Sequence, residues 1–82
     1  MQANYEIVDS DEDRVLIRDI GPWHQYKTIT NAAEWVVTDL YKKGHLIEGQ
    51  RLFYYDSLGT IDQIVHKNGR FVGFASGGRE GI

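Results

Sequence analysis

Five short stretches of the chain have the alternation or the β-branched, aromatic content of strands, and one has the period of a helix. Tyr5-Glu6-Ile7-Val8 alternates, and Arg14-Val15-Leu16-Ile17-Arg18 is rich in β-branched residues. The acidic run Asp9-Ser10-Asp11-Glu12-Asp13 between them has the composition of a hairpin turn. Gly21-Pro22 stops the second strand, because proline brings no ladder N–H. Asn31 reads as a helix N-cap with Glu34 completing a capping box, and Gly44 after Lys42-Lys43 reads as the stop. At 100° per residue Ala33, Val36, Val37 and Leu40 share one face, with Glu34, Thr38 and Lys42 opposite. After a connector at 45–50, Arg51 to Asp56 and Ile61 to His66 read as strands around a turn at 57–60. Asn68-Gly69 is a type I′ hairpin signal that leads into a last strand, Arg70 to Ala75.

The predicted order is ββαβββ, an α+β fold: a four- to five-stranded, mainly antiparallel sheet with one helix packed on one face. Residues 1–75 form a single domain, and 76–82, with three glycines and two charges, are expected as a flexible C-terminal tail.

One helix covers one face of a sheet, so the other face should be polar at every second position. It is not. Val15 and Ile17 oppose Leu16 and Ile20, and Leu52 and Tyr54 oppose Phe53 and Tyr55. Ile61 and Val65 oppose Ile64, and Phe71 opposes Val72 and Phe74. Two arrangements satisfy this pattern. The sheet curls and the segment 21–29, with Trp23, Tyr26 and Ile29, folds over the remainder. Alternatively the second face meets a protein partner, most simply another copy of the chain. The exposure of Phe53, Tyr55 and Phe71 discriminates: all three buried in one chain excludes the dimer, and all three open marks an interface.

Composition narrows the classes. The chain has 82 residues, one proline and no cysteine, so neither a disulfide nor a thiolate metal site contributes. Apolar runs are too short for a membrane span. Met1-Gln2-Ala3-Asn4 lacks the plan of a secretory leader, which predicts a cytoplasmic protein. Twelve acids against nine Lys and Arg give a net charge of −3, which argues against nucleic-acid binding. The charge is uneven. Residues 1–20 carry six acids and two bases, whereas residues 21–82 carry six acids and seven bases. Asp9, Asp11, Glu12 and Asp13 form an acidic patch that would suit a basic partner, or an inhibitor that mimics phosphate charge.

Candidate chemistry is sparse. Trp35 lies off the apolar helix face, either covered by the segment 23–26 or exposed as an anchor. Gly21-Pro22-Trp23-His24-Gln25-Tyr26 sets an imidazole among aromatics, as in a small-ligand or minor catalytic site. His24, His45 and His66 share no ligand spacing, so no metal or cofactor is assigned. Asp9, Asp11 and Asp13 imitate the start of a calcium loop, but Arg14 stands where its glycine belongs. Asp56 and Asp62 flank a turn, where paired carboxylates are usually solvated. No serine sits in a nucleophile elbow, and no catalytic residue is assigned. The expectation is a small non-enzymatic protein-binding module, with Trp23, His24, Tyr26, Trp35, Phe53, Tyr55 and Phe71 as its candidate surface.

Overall fold

The computed structural model describes residues 5–21, 23, 29–55 and 59–75. Strands β1 (Tyr5–Ser10) and β2 (Arg14–Asp19) precede helix α1 (Ile29–Lys42), and β3 (Arg51–Tyr55), β4 (Ile61–Lys67) and β5 (Arg70–Ala75) follow it. All five strands form one sheet in the order β1-β2-β3-β4-β5. The α+β plan and the ββαβββ order are as expected. The sheet is mixed rather than wholly antiparallel, because β2 and β3 run parallel with Arg14 beside Arg51. The link explains it. A chain that leaves one end of β2 and crosses through a helix returns to start β3 at the opposite end.

The apolar stripe of α1 is as the spacing predicts: Ala33, Val36, Val37 and Leu40 are fully buried, together with Ala32. The start of the helix is not. Helical structure begins at Ile29, so Asn31 lies inside the first turn and is not its cap. The far end closes as expected, in a Schellman motif. The His45 amide donates to the Leu40 carbonyl (2.9 Å) and the Gly44 amide to that of Tyr41 (3.1 Å). Gly44 supplies the left-handed φ of 76° that this closure needs.

Registers sort the side chains by face. Toward the helix, Val15, Leu52, Ile64 and Phe74 form one row across β2 to β5. Ile7, Ile17, Tyr54 and Asp62 form the next, across β1 to β4. The core joins Val15, Ile17, Leu52, Tyr54 and Ile64 to the helix stripe, Leu46 and Trp23. Among the described residues, no buried side-chain nitrogen or oxygen lacks a hydrogen-bond partner.

Both edge strands carry a bulge. The pairing steps from Ile7 to Asp9 on β1 and from Phe71 to Gly73 on β5. Val8 and Val72 are thus the extra residues. The second bulge changes the expected facing of β5. Phe71 and Phe74 fall on the same, helix-side face, with ring centroids 5.3 Å apart, rather than on opposite faces.

Candidate functional site

The helix-free face is built from the residues that alternate with the core. One row runs Asp9, Leu16, Phe53, Gln63 and Ala75 across all five strands. Tyr55 and Ile61 are paired beside it, and Val65 faces Gly73. Asp9, Arg14, Leu16, Phe53 and Ile61 enclose a recess of about 220 Å³. Its floor is apolar, while a carboxylate and a guanidinium stand on its rim. Typical small-molecule pockets are larger, about 300–1,000 Å³. The recess is the size of an anchoring side chain.

The three residues that discriminate between a covered and an open second face divide. Phe53 is 8% exposed yet lies outside the helix-side core. Tyr55 is half-buried on the same face. Phe71 is half-buried on the other face, packed against the core. The second face is therefore covered only in part.

The other candidates are dispersed. Trp23 is fully buried and stacks on Tyr54, with ring centroids 5.2 Å apart and planes 10° from parallel. It closes the core on the helix side. Trp35 is half-buried against that core. His24 and Tyr26 lie outside the described residues, as do Asp56 and the segment 76–82. Among the described residues, no group of three His, Cys, Asp or Glu side chains could hold a metal. No described helix is long and apolar enough to cross a membrane.

The acidic patch is partly consumed by its own turn. The Asp11 carboxylate accepts the Asp13 amide at 2.7 Å and the Arg14 amide at 3.0 Å. Those two amides, with a lesser contribution from the Arg14 charge, hold Asp11 below the usual carboxylate range against desolvation. Asp9, on the sheet face, belongs to the recess instead. Asp11, Asp13, Arg14, Gly49 and Arg51 line a second, polar hollow, so two arginines stand among the acids.

Sequence reasoning missed a polar hub at the C-terminal end of the helix. Tyr41 Oη donates to Glu48 Oε1 at 3.1 Å and lies 2.9 Å from His66 Nδ1. His66 Nε2 lies 2.6 Å from the Gln50 carbonyl, and Glu48 Oε1 also accepts the Asn68 amide at 2.7 Å. Burial, then the Glu48 carboxylate, pushes the Tyr41 phenol up despite an opposing Gly69 amide. The Asn68 amide above all, then the Tyr41 hydroxyl and the His66 and Lys67 charges, holds Glu48 low against desolvation. Both ring nitrogens of His66 thus have a polar neighbour within the fold. The one signal in the sequence was register: His66 shares a face with Ile64, so it points at the helix.

Comparison with protein-family models, with curated proteins and with solved structures finds no match for this chain.

Proposed function

We propose that the protein is a small binding module that acts through its helix-free sheet face, and that its partner is a second copy of the same chain. The observation that carries this reading is the recess: an apolar floor of Leu16, Phe53 and Ile61 with Asp9 and Arg14 on its rim. A two-fold relation lets residue i of one copy meet residue j of the other and j meet i. A rim with both signs of charge is therefore suited to its own copy.

The edges favour face-to-face association. Bulges on β1 and β5 interrupt the rows of free amides and carbonyls that would template a further strand. Area sets the strength. Five strands about 4.8 Å apart and about 20 Å long present on the order of 500 Å² per copy. A symmetric pair would bury about 1,000 Å², the lower limit for a specific interface. The dimer is accordingly weak.

Sedimentation equilibrium from micromolar to near-millimolar protein tests this. The mass should rise from one chain toward two, whereas Leu16→Lys and Val65→Lys, folded by near-ultraviolet circular dichroism, should remain single chains. Strictly monomeric wild-type protein at every concentration rejects the second copy. Dimerisation unchanged in both variants places the contact on another surface.

A further inference from the structure

We infer that Glu48, Tyr41 and His66 form a proton-operated latch. A proton on His66 turns the Tyr41 hydroxyl toward Glu48 and ties the helix to the connector between α1 and β3, whose Glu48 also holds the Asn68 amide of the β4–β5 turn; loss of the proton turns the hydroxyl back to His66 and breaks the tie between helix and connector.

The inference rests on counting hydrogens in the hub. A carbonyl only accepts, so the 2.6 Å contact with Gln50 places a hydrogen on His66 Nε2. In the neutral ring Nδ1 is then a bare acceptor, 2.9 Å from Tyr41 Oη. The tyrosine has one hydrogen for two acceptors, His66 Nδ1 and Glu48 Oε1. If it serves the ring, Glu48 loses its tie to the helix. Once Nδ1 carries a proton, it donates to the tyrosine oxygen, and the tyrosine hydrogen goes to Glu48. Every member of the chain from Gln50 to Asn68 then has a partner. Histidine ordinarily changes charge between roughly pH 5 and 8. The depressed Glu48 and the elevated Tyr41 hold one protonation state there.

The surroundings suit a local device. A recess of about 200 Å³, lined by Glu48, Arg51 and His66 among others, lets solvent protons reach the ring. The charged and titratable groups around His66 are Tyr41 from the helix, Glu48 from the connector, Arg51 from β3 and Lys67 on its own strand. From β5, the uncharged Phe71 pairs with it, and Arg70 pairs with Lys67. The tied connector reaches further. Leu46 is in the core, and Gln50 Nε2 donates to the Asp11 carbonyl at 2.8 Å, joining the connector to the β1–β2 turn.

An NMR titration of the whole protein from about pH 8 to about pH 5, the range in which histidine normally changes charge, tests the latch. The Asn68 amide should shift with an inflection that coincides with the His66 ring resonances. In Tyr41→Phe, which keeps the ring against Gly69, His66 should still titrate while the Asn68 inflection is lost. In His66→Gln the inflection should also be lost. A wild-type Asn68 amide that ignores His66 overturns the latch. So does an inflection of equal amplitude in Tyr41→Phe, which would reflect charge felt through space, or one that persists in His66→Gln.

Discussion

Replacing Trp23 with alanine removes the largest fully buried side chain of the described residues together with its stack on Tyr54. Such a truncation costs about 3–5 kcal/mol, the lost transfer energy plus the cavity left behind. A chain of 82 residues has roughly 4–12 kcal/mol of total stability at about 0.05–0.15 kcal/mol per residue. Urea denaturation should therefore find the midpoint of Trp23→Ala far below that of wild type, while Trp23→Phe, which keeps a ring on Tyr54, loses less. A second side-chain contact gives the fold a pH profile. Tyr5 Oη donates to Asp39 Oδ2 at 2.7 Å, and Lys43 Nζ lies 3.0 Å from the same carboxylate. Desolvation works against the Asp39 charge, but Tyr5, Lys43 and Lys42 outweigh it and lower its pKa. Burial first, then Asp39, pushes the Tyr5 phenol up. The depressed acid contributes stability above its unfolded value near 3.9, lost as pH falls through the lower folded value. The elevated phenol contributes below its unfolded value near 10, lost at higher pH. Against wild type, Asp39→Asn should be less stable at neutral pH and lose less on acidification. Equal acid slopes in the two proteins would show that the pair adds nothing.

At the scale of the element, the closure of α1 is the sharpest test of the sequence grammar. Gly44 has a φ of 76°, and an added Cβ would meet nothing within 4 Å. Its substitution therefore reports backbone strain alone. Gly44→Ala should lower stability by about 1–2 kcal/mol, the cost of left-handed backbone for an L-residue. Gly69, at φ 77°, carries the same backbone strain, since a Cβ there would lie 3.4 Å from Tyr41 Cγ, an ordinary van der Waals contact. Gly69→Ala should cost about the same 1–2 kcal/mol as Gly44→Ala in the same denaturation experiment, and a clearly larger loss would show that the Tyr41 ring resists the added methyl. Both turns were legible because only a few residues tolerate positive φ. The helix stripe was legible for the same kind of reason: Val36, Val37 and Leu40 share a face at a single period. The helix start was not, since Asn31 has a cap's chemistry but the backbone is already helical at Ile29. Nor was the facing of Phe71, since period-2 counting assumes an unbroken ladder and Val72 interrupts it.

For the whole molecule, the informative quantity is how completely one helix and one sheet cover each other. Alternation located the helix-free face, with Leu16, Phe53, Tyr55, Ile61 and Val65 on one side as expected. It gave no measure of self-cover. Phe53 is almost buried although it lies outside the helix-side core, and counting alternate positions cannot register such cover. The hub of Tyr41, Glu48 and His66 left only the facing of His66 in the sequence, for a related reason, as it joins residues of three separate segments. What remains open on the second face is small, so association through it should register in stability as well as in mass. A partner that binds only the folded state raises stability by RT ln(1 + [L]/Kd), about 2.7 kcal/mol at a hundredfold excess over Kd. The thermal midpoint of the wild-type protein should therefore climb with protein concentration once the weak dimer is populated. Leu16→Lys should melt at one temperature throughout, because its charge would be buried against the partner's apolar floor. A wild-type midpoint independent of concentration, in the range where sedimentation reports two chains, would mean that the dimer draws no stability from native sheet packing. The association would then not require the folded chain, which excludes a contact made through the recess of Leu16, Phe53 and Ile61.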